Sequence, residues 1–313
     1  MRMIPIASTL HPVSRRPLPS PVRHAVAWAA AVALIATGCS SEPTDGGSLV
    51  VAAGFAPLED VVGAVTAGTD VVVLPLVPHG EEAHEYEPTA QQLDRLADAR
   101  ALFLLHGFQP AVDAAAAALD GEVVDLFEGI PRIETTDGVA DPHVWLDPEN
   151  MATMAGTVAA ALSRLDPDRA STWTANAEAY AASMRDLDAE MTAGLTGCAS
   201  DLLVSGHDAF GYLAAAYGLR NTSIAGISPS EEPSAAALEA LATLARSEGV
   251  TTVFFEEGLP ADLSATLAAE VGAAAARLDP VEALSAEQIA AGADYTSIMR
   301  DNLAALRAGL GCP

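Results

Sequence analysis

The chain contains no lysine: all 15 basic residues are arginine, set against 42 Asp and Glu in 313 residues, for a formal net charge of -27. So acidic a surface repels a polyanion such as nucleic acid and attracts cations. Aromatic residues make up 5% of a chain that is half hydrophobic. Alanine supplies much of the apolar content, which suits closely packed helices. Cysteine is scarce, with three residues and no C-x-x-C pair, which argues against a thiolate metal site. There is no H-E-x-x-H either, so the helical metallohydrolase arrangement is missing. The apolar run at 25–37, AVAWAAAVALIAT, is too short to span a bilayer comfortably.

That run belongs to a recognisable leader. Arg15, Arg16 and Arg23 precede it, and it ends in Ala36-Thr37-Gly38-Cys39, followed by the polar stretch SSEPTDGGS. Small residues directly before a cysteine resemble the lipobox of bacterial lipoproteins. The expectation is a signal peptide over 1–38, lipidation of Cys39 and a flexible tether over 39–48. Loss of a leader with four arginines and no acidic residue takes the mature chain from -27 to about -31. Cys198 and Cys312 remain, and in an oxidising compartment they are expected to pair.

The mature chain is long enough for two compact units. Short continuous apolar runs at 49–55, 71–77, 101–105 and 122–126 alternate with helical stretches. The pattern returns at 201–206, 219–226, 251–255 and 275–279. Continuous rather than alternating strands, separated by helices, predict parallel sheets covered on both faces. Residues 168–193 hold neither Gly nor Pro, and Trp173, Ala177, Tyr180, Met184, Leu187 and Met191 recur every three or four positions, the stripe of one long helix. The expected fold is α/β: a lobe over 49–165, a linking helix over 166–196, and a second lobe over 197–313. A ligand would then sit in the cleft between them, at the carboxyl ends of the strands.

Beyond the leader lie five histidines: His79, His84, His106, His143 and His207. Taken singly, a histidine is more often a surface or satisfied core residue than a ligand. The words around three of them say more: GEEAHEYEP at 80–88, DPHVWLDP at 141–148 and SGHDAFGYLAAAYGL at 205–219. With GISPSEEPS (226–234), VFFEEGL (253–259), LDP (278–280) and YTSIMRDNLAAL (295–306), they resemble, in order, the motifs of the ZnuA/TroA-like family. These are metal-binding subunits of zinc and manganese ABC importers. The first motif departs from the family pattern before its histidine, and Gly258 stands where proline is common.

The resemblance implies a metal held by His84, His143 and His207, with Asp279 as fourth ligand. Glu82, Glu256 or water are the alternatives for that place, and a turn-capping role is the alternative for Asp279. Three imidazoles and a carboxylate suit zinc, whereas manganese binders of the family carry a carboxylate at the third position. His79 sits in an acidic loop beside the first ligand, and His106 reads as a hydrogen-bonding residue. The implied function is a non-enzymatic, membrane-anchored, monomeric protein that carries zinc to an ABC permease. Whether a metallochaperone loads it is left open. A manganese or iron carrier and a zinc-dependent hydrolase are the competing readings.

Overall fold

The computed structural model describes residues 48–134, 138–256 and 262–313. The expected leader, Cys39, the tether up to residue 47 and Gly258-Leu259 of the VFFEEGL stretch lie outside them. Gly46–Pro313 forms one compact unit.

Its N-terminal half is built on β1 (Val50–Ala53), β2 (Val72–Pro75), β3 (Ala101–Leu104) and β4 (Glu122–Asp125). All four are parallel, in the order β2-β1-β3-β4. The central strands β1 and β3 are almost wholly buried, so their runs of Val, Ala, Leu and Phe have no polar face. Pro75, which cannot donate to a ladder, ends the edge strand β2. The crossovers carry α1 (Ala56–Thr66), α2 (Ala90–Ala97) and α3 (Pro110–Ala116). Helix α2 opens on a reciprocal cap between Thr89 and Gln92.

Two helices follow. The sequence reading named no element for α4, Pro148–Leu165. Asp147 caps it through the backbone N–H of Glu149, and Pro148 takes its first turn. It lies along α5, Ala170–Gly194. At 25 residues, α5 is roughly 37 Å long. It covers less than the expected 166–196, starting at Ala170 because Pro167–Arg169 forms a separate 3-10 turn. Trp173, Ala177, Ala181, Met184, Leu187 and Met191 are its buried stripe. Tyr180 lies at the stripe's edge and donates its hydroxyl to Asp60 Oδ2 at 2.7 Å.

The C-terminal half repeats the strand–helix alternation with β5 (Leu202–Ser205), α6 (Gly211–Tyr217), β6 (Arg220–Ser223), α7 (Ala235–Glu248), β7 (Thr252–Phe255), α8 (Asp262–Val271), β8 (Ala274–Arg277), α9 (Ala286–Ala291) and α10 (Tyr295–Leu310). Strands β5 and β6 pair in parallel, as do β7 and β8, and β5 runs beside β7. A disulfide joins Cys198, just after α5, to Cys312, just after α10. The halves meet around Trp145, which is fully buried. Its indole donates to Pro280 C=O at 2.7 Å, and its own C=O accepts from the Tyr295 hydroxyl at 2.6 Å. Among the described residues no helix is long and apolar enough to cross a membrane.

Candidate metal centre

Four loops deliver the site. His84 comes from the stretch between β2 and α2, and His143 immediately precedes the 3-10 turn Val144–Leu146 that leads into α4. His207 follows β5, and the fourth residue, Glu282, follows β8. Three of the four therefore leave the carboxyl ends of parallel strands, where such sheets open and ligands settle.

Each histidine is fixed locally. The backbone N–H of His84 donates to Glu82 Oε1 at 2.7 Å, and the Gln109 amide clamps the preceding carbonyl of Ala83 at 2.9 Å. Asp141 Oδ1 accepts from both the backbone N–H (2.9 Å) and Nδ1 (2.8 Å) of His143. Glu256, at the end of β7, does the same for His207, taking its backbone N–H at 2.9 Å and Nδ1 at 2.5 Å. Such bonds commit the proton to Nδ1 and leave the Nε2 lone pairs free to bind. Both carboxylates pass over glycine: a Cβ on Gly206 would lie 2.8 Å from Glu256 Oε1, and one on Gly211 would lie 2.3 Å from Asp141 Oδ2. Gly206→Ala is therefore expected to push Glu256 off His207 and weaken metal binding about tenfold, as read by titration against a chromophoric chelator.

The four donor atoms converge. His143 Nε2 lies 3.2 Å from His84 Nε2 and 3.3 Å from His207 Nε2. Glu282 Oε1 stands 3.4, 3.3 and 3.2 Å from the Nε2 atoms of His84, His143 and His207. A tetrahedron with metal–ligand bonds of about 2.0–2.1 Å has edges of ~3.3 Å. Glu282 Oε1 is buried and has no hydrogen-bond partner. An unpartnered carboxylate oxygen facing three ring nitrogens at these separations fits a shared cation. Phe108 and Trp145 wall the site, their rings 4.7 Å from His84 and 5.2 Å from His143 respectively.

Electrostatics agree with the geometry. Burial opposes charge on His207, but the carboxylates of Glu282 and Glu256 override it and hold the imidazole up to about 10, from its ordinary 6.5. Burial also opposes charge on His143, yet Asp141 and Glu282 raise it. Glu282 is pushed well below the usual carboxylate range: burial works against ionisation, and His207 and His143 outweigh it. The buried acids thus favour the protonated form of His207 and His143.

The structure brings together His84, His143 and His207 but not Asp279. The carboxylate it supplies is Glu282. Asp279 is buried three residues earlier, with both oxygens engaged by Arg277, Gln288 and the backbone of Val281. Glu82 and Glu256, the other named substitutes, act behind the histidines instead. The LDP segment stops two residues short of the carboxylate that meets the histidines, because a residue's direction along a turn depends on backbone angles that sequence does not display. A carboxylate between Val281 and the apolar Ala283-Leu284 was the available signal, since acids are rarely buried unless paired or bound to metal. His79 bonds Glu59, and the exposed His106 bonds Asp113, the hydrogen-bonding role expected of it.

The fold and this cluster define a metal-binding protein: parallel α/β sheets presenting three imidazoles and one carboxylate from the loops at their ends. The chain belongs to the family described as "ZnuA: Zinc-uptake complex component A periplasmic", which it matches over residues 51–309. It is 30% identical over 288 residues to the zinc-binding protein AdcA of Streptococcus pyogenes serotype M1, covering 83% of this chain and 56% of the relative. The chain thus spans little more than half the length of those AdcA relatives. It is 30% identical over 306 residues to the high-affinity zinc uptake system protein ZnuA of Bacillus subtilis, covering 90% of this chain and 95% of that one. Among solved structures, the Zn(II)-bound ZnuA-like domain of Streptococcus pneumoniae AdcA superposes with a TM-score of 0.74 at 31% identity, covering 84% of this chain and 99% of that one. Membership of this family of binding components accords with a non-enzymatic role.

Proposed function

We propose that this protein captures one zinc ion outside the cytoplasmic membrane, on His84, His143, His207 and Glu282, and hands it to the permease of an ABC importer. The observation that carries the reading is the convergence of four buried donors on tetrahedral spacing around an unpartnered carboxylate oxygen. Zinc imposes no ligand-field geometry and takes imidazole and carboxylate readily. Manganese favours oxygen donors, and three nitrogens against one oxygen weigh against it. A hydrolase would need an open position and a free general base. Here four protein donors are present, and the carboxylates behind them, Asp141 and Glu256, are held by His143 and His207.

The lipobox-like Ala36-Thr37-Gly38-Cys39 supports anchoring by lipid on Cys39. The related protein of Streptococcus pneumoniae is itself named a zinc-binding lipoprotein. Lobes over 49–165 and 197–313, joined by the helix over 166–196, would give the cleft its two walls.

The test is metal analysis of the purified mature chain, followed by competition of zinc against manganese. The expected result is one zinc per chain, retained against excess manganese. A protein that takes no zinc, or prefers manganese, would overturn the proposal.

Binding should also depend on pH. Zinc needs a neutral His207, which metal-free protein holds protonated up to about 10. Each zinc bound near neutrality is therefore expected to release at least one proton, and log K to rise by at least one per pH unit as pH climbs from about 6.5 toward 10. The stability of metal-free protein runs the other way: a raised imidazole contributes fully below 6.5, and the contribution is lost as pH climbs toward 10. Calorimetry in buffers of different ionisation enthalpy measures the proton release.

A further inference from the structure

The backing of the four donor residues is uneven. His143 and His207 each have a carboxylate on Nδ1, whereas Glu282 Oε1 has no hydrogen bond at all. The place of that oxygen must come from the turn that carries it, Asp279-Pro280-Val281-Glu282. This turn is unusual in one respect: Val281 has φ +61°, alone among the described non-glycine residues in having a positive φ. A β-branched residue rarely adopts that conformation unless its surroundings impose it.

The surroundings are Asp279. Its Oδ1 accepts the backbone N–H of Val281 at 2.8 Å, which closes the turn directly over the strained residue. Its Oδ2 accepts from the Arg277 guanidinium and the Gln288 amide, both at 2.8 Å, and so ties the turn to the end of β8 and to α9. Its backbone is gripped as well. The N–H donates to Asn302 Oδ1 at 2.8 Å, and the C=O accepts from Asn302 Nδ2 at 2.7 Å, from a buried residue of α10. The next carbonyl, that of Pro280, takes the Trp145 indole proton beside His143. Val281 itself is buried in the core.

From this we infer that Asp279 is a positioning residue for the metal site: it does not touch the ion but fixes the turn that aims Glu282 Oε1 at the three imidazoles. The inference rests on the zinc-capture reading above. Loss of the carboxylate frees the Val281 N–H, lets φ relax and swings Glu282 away from the histidines.

A double-mutant cycle on the full mature chain separates this role from a general structural one. Zinc affinity is measured by chelator competition for wild type, Asp279→Ala, Glu282→Ala and the double variant. Asp279→Asn, which keeps the shape but not both acceptor oxygens, is included in case the alanine variant folds poorly. The expected result is a loss of about 10- to 100-fold for Asp279→Ala, and no further loss, within about twofold, when it is added to Glu282→Ala. Cobalt-loaded Asp279→Ala should also show the weakened, shifted d–d bands of Glu282→Ala instead of the wild-type spectrum. If wild type binds zinc and the two losses multiply, or Asp279→Ala and Asp279→Asn bind as wild type does, the positioning role is wrong. If wild type binds no zinc, the capture reading fails and this one with it.

Discussion

Replacing His143 with alanine is expected to lower zinc affinity about a thousandfold, or ~4 kcal/mol. Structural zinc sites of four ligands are worth about 10–16 kcal/mol in total, so a single donor accounts for roughly a quarter. His143 is the donor to remove because it is fully buried and its Nε2 is within 3.4 Å of all three other donor atoms. Its ring packs against Trp145 and Phe108, and its loss strips Asp141 of the ring it orients. Chelator competition reads the loss directly. Melting with and without zinc reads it again, because the metal-induced rise in Tm shrinks with the affinity. His106→Ala, at an exposed residue that bonds Asp113 and Asp125, should bind zinc as wild type does. Unchanged affinity in His143→Ala would remove His143 from the site.

The second large effect concerns the fold and not the metal. The Cys198–Cys312 bridge closes a loop of sequence separation 114, which loop-closure entropy values at about 5 kcal/mol. The paired variant Cys198→Ser/Cys312→Ser is expected to lose that amount in denaturant unfolding of metal-free protein, with zinc affinity held within threefold. The reason for the split is local. The backbone bonds Ala199 N–H to Gly311 C=O (3.2 Å) and Ser200 N–H to Leu310 C=O (3.1 Å) do not need the bridge, and neither does the burial of Leu306 and Leu310. The cross-link therefore acts mainly on the unfolded chain. An unchanged unfolding midpoint would refute this account.

The elements that could be read in advance were those whose burial is complete. Strands β1, β3 and β5 lie inside covered sheets, so every residue is apolar or small and the run declares itself. Helix α5 declares itself through a stripe that stays in phase for about five turns. Helix α4 is harder to read, although its cap, Asp147-Pro148, is a plain start signal. Its small residues Ala155, Gly156, Ala159 and Ala161 give weak contrast between faces, and packing against α5 decides the matter. The histidines were found through the words around them, and those words encode the carboxylates Asp141 and Glu256 or the loop geometry that orients the rings. Glu282 has no such partner in its neighbourhood. Its aim is set by a positive φ at Val281 and by bonds to α9 and α10.

Composition and pattern alone fixed an acidic, lysine-free α/β chain with parallel strands, one long helix, two cysteines to pair and three histidines in distinctive loops, because each of these is written in neighbouring residues. Which carboxylate faces those histidines was left to the tertiary structure. Residues 59 and 64 positions apart, and a fourth 75 further on, meet only after the sheets are assembled and Trp145 has locked one half to the other. Distances between side chains from different loops follow from packing, and packing is a property of the whole chain and of no segment within it.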